Sequence, residues 1–157
     1  MQTDVMSLWA HAESCLQSWL KARKSLLISF SQIGHYRAVN SPAKKVHWEN
    51  AFQHFHSLLI DYLALGHFRV LEALIAVCEQ HHTQASCQSL YSQLLSTLHF
   101  LTARLEMTSS ASLSDSATKK MLSSLSHHLA KRLFYEDKLI QHYRWSKTQA
   151  SPSSKIA

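Results

Sequence analysis

Residues 4–33 read DVMSLWAHAESCLQSWLKARKSLLISFSQI, and Val5, Leu8, Trp9, Ala12, Cys15, Leu16, Trp19, Leu20, Leu26, Leu27, Phe30 and Ile33 recur in it at helical steps. That period lays one apolar stripe along an α-helix. Asp4 is suited to be its N-cap, and Gly34 stands where a left-handed C′ residue is expected.

The same reading extends outward from this helix. His35 to Lys45 is irregular, and Ser41-Pro42 pairs a capping residue with a first-turn proline. From about Val46 a second helix carries Trp48, Phe52, Phe55, Leu58, Leu59, Tyr62 and Leu63, then meets Gly66. Glycine there costs about 1 kcal/mol relative to alanine, so a bend or a close helix contact is expected. The pattern resumes through Phe68, Leu71, Leu74, Ile75 and Cys78. A third helix spans about Gln84 to Met107, through Leu90, Tyr91, Leu94, Leu98, Leu101 and Leu105. Thr108 to Ser116 is Ser-rich and reads as a loop, with Ser112 and Asp115 at capping-box spacing. The fourth helix places Leu122, Leu125, Leu129, Leu133, Leu139, Ile140 and Tyr143 on one side. Four long amphipathic helices with short links predict an all-α, antiparallel four-helix bundle. One domain is expected over residues 1–146, with a disordered Ser-rich tail over 147–157.

Composition agrees with this class. The 157 residues include two Gly and two Pro, too few for a fold rich in tight turns. Lys and Arg number 16 against 10 Asp and Glu, a formal charge of +6. Lys44-Lys45, Lys119-Lys120 and Lys131-Arg132 are isolated pairs, so the excess reads as scattered surface charge and no direct nucleic-acid partner is expected. Cys15, Cys78 and Cys87 form no CxxC pair, as befits reduced thiols in a cytosol. Met1-Gln2-Thr3-Asp4 shows neither a basic n-region nor an apolar h-region, so no secretory leader is expected, and no run of about 18 apolar residues would span a membrane. A cytoplasmic protein without membrane attachment is expected.

Charges standing where leucine belongs carry the functional information. Arg23 falls in the series Leu16, Leu20, Arg23, Leu27, and Glu136 in the series Leu129, Leu133, Glu136, Ile140. Asp61 and Glu72 share a helical side with Leu58, Leu65 and Phe68. Buried charges need partners. Either Arg23 pairs with Glu136 or another acid as a structural ion pair inside the bundle, or the acids line an open groove into which a partner brings arginines. Both can hold together. Twelve histidines raise a metal-sensing alternative, but Glu79-Gln80-His81-His82 supplies a single Glu-x-x-His where a di-metal bundle needs two. No metal or other cofactor is expected, and no nucleophile, acid–base pair or phosphate loop marks an enzyme.

At the charged positions the chain resembles the regulator of sigma D (Rsd/AlgQ) family. Trp19-Leu20-Lys21-Ala22-Arg23-Lys24-Ser25-Leu26-Leu27, Asp61-Tyr62-Leu63-Ala64-Leu65-Gly66-His67-Phe68 with Glu72, and Arg132-Leu133-Phe134-Tyr135-Glu136-Asp137-Lys138-Leu139-Ile140 are similar to three blocks of that family, in order. The resemblance implies a helical anti-sigma factor. Such a protein binds region four of the housekeeping sigma factor and blocks its contacts with promoter and core polymerase. It strengthens the partner-contact reading of Asp61, Tyr62, His67, Phe68, Glu72, Glu136 and Asp137, to which the groove reading adds Leu65 as an apolar contact. Four amphipathic stripes without a complete ligand set predict a free protein that is monomeric or weakly dimeric. The alternative is a helical adaptor of the same fold binding a different regulatory protein, which the basic surface would permit.

Overall fold

Helix termini in the computed structural model show how local chemistry divides the chain. The structure describes residues 2–34, 41–80, 84–108 and 114–150. Ser41, with φ −133° and ψ 145°, caps α2 (Pro42–Leu65): its Oγ accepts the Lys44 N–H at 3.3 Å, and Pro42 occupies the first turn. Ser114 caps the last helix, its Oγ accepting the Ala117 N–H at 3.3 Å just before Asp115; Ser112 of the expected capping box lies outside the described residues. Gly34 differs from expectation too. It ends α1 (Gln2–Gly34) within the helix, and no described residue has a positive φ.

Among the described residues the chain forms four helical rods and no strand. α1 is the first; α2 continues through a π-helical turn, Gly66–Val70, into α3 (Leu71–Cys78); α4 (Gln84–Thr108) and α5 (Asp115–Ala150) complete the set. The protein is all-α. Side chains meet in opposite numerical order along neighbouring rods. Trp19 stacks on Tyr62 and Phe30 packs on Phe55 between α1 and α2; Phe100 stacks on His128, and Arg132 reaches Leu94, between α4 and α5. Arg23 with Asp137, and Glu13 with Lys147, do the same for α1 and α5.

The core draws on every rod: Leu16, Trp19 and Leu26 of α1, Phe55 and Leu59 of α2, Leu71 and Leu74 of α3, Leu94 and Leu101 of α4, and Leu125 and Leu139 of α5. Each such side chain contributes about 1.5–3 kcal/mol by leaving water. The α1 stripe is rotated from the expected one. Ala12, Leu16, Trp19, Leu26 and Ile33 face inward, Leu20 is half-buried, and Leu27 and Val5 are 38% and 45% exposed. Two adjacent leucines cannot share one helix face, and packing selected Leu26. At the other end α5 runs through Ala150, and Ser146 is fully buried with its hydroxyl donating to the His142 carbonyl, so order extends past the expected boundary.

Gly66 shows what its missing side chain permits. A Cβ there would lie 2.8 Å from Trp19 Nε1 and 3.2 Å from Cε2. The close helix contact is realised, and the extra residue of the π-turn is accommodated in the same place. The rod does not end at the glycine, whose φ of −60° is right-handed.

Candidate functional site

Three places emerge from the positions singled out in the sequence: a buried polar node, a groove on one flank of α1, and an ion-paired edge on the other flank.

The node forms where α2, α4 and α5 converge. Arg132 and Glu136, one turn apart on α5, are both fully buried and joined Nε to Oε1 at 2.7 Å. The Tyr62 hydroxyl of α2 donates to Glu136 Oε2 at 2.5 Å. Arg132 Nη1 donates to the Leu94 carbonyl at 3.0 Å and to Thr97 Oγ1 at 3.2 Å on α4. Its remaining Nη2 has no hydrogen-bond partner among the described residues, so Glu136 is the guanidinium's one carboxylate there. Burial pushes the Glu136 carboxyl above its ordinary range, opposed by Arg132, Tyr62 and Arg23. Burial likewise raises the Tyr62 phenol, with the charge of Glu136 adding to it. Both groups act from the interior, by tying helices together. The expected structural ion pair is corrected here: Glu136 belongs to Arg132.

Arg23 instead donates from Nη1 to Asp137 Oδ1 at 2.7 Å. Its side chain is 17% exposed against 54% for Asp137, so the pair sits at an edge of the bundle. The reason is helical phase. Glu136 points inward, whereas Asp137 is turned about 100° from it towards α1. Burial opposes the charge on Arg23, but Asp137, Tyr62 and Glu136 together hold it above its usual range. Leu20, Arg23, Lys24, Leu27, Ile28 and Ser31 line a shallow depression of about 460 Å³ beside this pair.

On the other flank of α1, facing the π-turn and α3, lies a larger groove of about 680 Å³. His11, Cys15 and Ser18 form one wall, and Leu65, Phe68, Arg69 and Glu72 the other, so a cation and a carboxylate both flank the ring. Phe68 is 71% exposed, high for a phenylalanine, and Glu72 is exposed beside it. Asp61 is exposed on α2, one turn before Leu65. The structure therefore brings Leu65, Phe68 and Glu72 together, leaves Asp61 nearby on the surface, and sets Asp137 apart. His67 turns away from Glu72's groove and stacks on Tyr91 of α4 at 5.8 Å, edge-on to Phe68. Burial, and then the charge of Arg132, depress the His67 imidazole, with Glu72 working the other way.

Arg132 is the member that the sequence reading missed. Leu122, Leu125, Leu129, Arg132, Glu136, Leu139 and Tyr143 are among the positions that α5 buries. That series keeps helical spacing as well as the one through Leu133, and it contains an Arg–Glu pair at i and i+4, which is the signal that would have found it. Among the described residues no group of three or more His, Cys, Asp or Glu converges, and no helix is long and apolar enough to cross a membrane. Cys78 and Cys87 are buried free thiols, and burial pushes Cys78 up to about 12.

Comparison with known proteins accounts for the blocks that form these places. The family model described as "Regulator of RNA polymerase sigma(70) subunit, Rsd/AlgQ" matches residues 2–144. A "Regulator of sigma D" from Pectobacterium carotovorum subsp. carotovorum (strain PC1) is 32% identical over 69 residues, 44% of either chain. The protein of that description from Shigella dysenteriae serotype 1 (strain Sd197) is 29% identical over 76 residues, 48% of either chain. The matched stretches thus span less than half the length of these curated relatives.

Proposed function

Since the chain belongs to the Rsd/AlgQ family of RNA polymerase sigma(70) regulators, we propose that it is an anti-sigma factor that binds region four of the housekeeping sigma factor and works by occupancy, not catalysis. Region four reads promoter DNA and touches core polymerase. A protein seated on it competes with both contacts. The reading also takes the chain to be cytoplasmic, and monomeric or weakly dimeric when free.

The observation that carries it is the exposed Phe68 beside Glu72 and Leu65, within the block that resembles the family. Exposed aromatics flanked by carboxylates suit arginine-rich partners, which combine charge-assisted hydrogen bonds with stacking. Asp61 extends that acidic edge, and Asp137 offers a second one when Arg23 shares it. Tyr62, Glu136 and His67 support the surface from behind.

Calorimetric titration of purified sigma region four tests this. Asp61→Ala, Phe68→Ala and Glu72→Ala should each weaken binding with helicity unchanged. A charged hydrogen bond of about 1.5–3 kcal/mol corresponds to ten-fold or more in affinity. Added salt should weaken the complex. Wild-type affinity in all three variants would place the contact elsewhere, and no binding by the parent protein at low salt would leave the adaptor reading in its place.

A further inference from the structure

The outward face of α5 carries a pattern that the sigma reading does not use. Lys120, His127, Phe134 and Gln141 recur every seven residues, and Lys131, Lys138 and Trp145 form a parallel row three or four residues away. At 100° per residue these positions fall within one narrow arc opposite the buried side of α5, over about 37 Å of helix. All seven are exposed. Phe134 is 54% and Trp145 48% exposed, so each offers apolar surface within the stripe. No acid interrupts the stripe. The acids of α5 are Asp115 in its first turn, Glu136 buried against Arg132, and Asp137 bonded to Arg23.

The rings are not bare stacking platforms. Lys138 Nζ lies over the Phe134 ring at 4.6 Å. On neighbouring α4, Phe100 is stacked on His128 at 3.5 Å, with the Arg104 guanidinium 5.2 Å from its centroid. A nucleic-acid base binds an aromatic face, and these faces already carry the protein's own cations and a histidine. With Lys138 over its face, the exposed Phe134 ring offers its edge to aliphatic side chains. The cations Lys120, Lys131 and Lys138 stand 11 and 7 residues apart, close to three and two whole helical turns, so they line up in one row along the axis as a helix lying alongside would meet them.

We propose that this stripe is a second docking surface, whose occupant is an acidic amphipathic helix of another protein. Glutamates or aspartates spaced by two and three helical turns would pair with Lys120, Lys131 and Lys138, and leucine-sized side chains between them would pack beside Phe134 and Trp145. The stripe shares no residue with the groove around Phe68, so the proposal stands independently of the sigma assignment. It also gives part of the +6 charge a use on a face away from that groove.

The test uses the full chain and a fluorescently labelled four-heptad peptide carrying leucine at the seam and glutamate beside it. A scrambled isomer of the same composition, a 20-nucleotide single-stranded RNA and phosphatidylserine vesicles complete the set. Anisotropy titration should show ordered-peptide binding at least ten-fold tighter than the scrambled isomer, the RNA or the vesicles. Lys131→Glu with Lys138→Glu should weaken the peptide ten-fold or more, and Phe134→Ala several-fold, with circular dichroism unchanged. The charge-reversed protein should still bind sigma region four, which separates failure here from failure of the sigma reading. Equal binding of ordered and scrambled peptides, or indifference to charge reversal, overturns the proposal. Tighter binding of RNA or vesicles overturns it in favour of that ligand.

Discussion

Gly66→Ala should destabilise the protein although it replaces a poor helix former with the best one. Gly66 lies in right-handed helical conformation, so alanine gains about 1 kcal/mol from propensity alone. Against this, the new methyl would lie 2.8 Å from Trp19 Nε1, several tenths of an ångström inside ordinary contact. Trp19 has little room to yield. It is 1% exposed and stacked on Tyr62, with centroids 5.8 Å apart and planes at 16°. Tyr62 in turn is held by Glu136, which Arg132 holds. Overpacking of a core typically costs about 1–3 kcal/mol, and a clash with an anchored indole belongs in the upper half of that range. The net expectation is a loss of about 1–2 kcal/mol, or a fall of a few degrees in Tm for a chain of this size. Urea denaturation followed by circular dichroism measures it. Trp19→Phe removes the clashing edge, so a double-mutant cycle should show the alanine to be less costly in that background, with coupling of at least about 0.5 kcal/mol. An alanine variant as stable as the parent would refute the close contact.

Two further perturbations follow from the polar network. Arg132→Met leaves Glu136 buried without its cation and should cost about 3–5 kcal/mol in chemical denaturation, whereas Arg132→Met with Glu136→Leu should recover most of that loss; equal instability of single and double variants would show that the charge is not the cause. Hydrogen bonds from Lys147, Tyr143 and Gln17 lower the Glu13 carboxyl from 4.5 to about 2. A depressed carboxylate stabilises the fold above the unfolded value and loses that contribution as pH falls from about 4.5 towards 2. Because Glu13 and Lys147 are 35% and 54% exposed, screening limits the effect to about 1 kcal/mol at most. Thermal melts across that window should show a shallower acid limb for Glu13→Gln, and identical limbs would exclude the link.

How much was legible beforehand depended on the distance over which the deciding interaction acts. Helical class, the breaks near Ser41 and in the Ser-rich stretch before the last helix, and a bend or close contact at Gly66 follow from local rules of period, capping and side-chain volume; the helices start and stop at those places, and at Gly66 packing realised the close contact. The family blocks were legible too, because their residues are adjacent in the chain. Which carboxylate Arg23 meets was not. Glu136 and Asp137 are neighbours in sequence but about 100° apart around α5, so the choice depended on how α5 is rotated against α1. The same rotation decided that Arg132, and not Leu133, enters the core, and that Leu26, and not Leu27, faces inward. Helical spacing leaves such one-residue phases nearly equal, because either stripe has the right period. Close packing does not, since Trp19, Tyr62 and Glu136 fit together in one rotation of their helices, and that selection is made only when the rods meet.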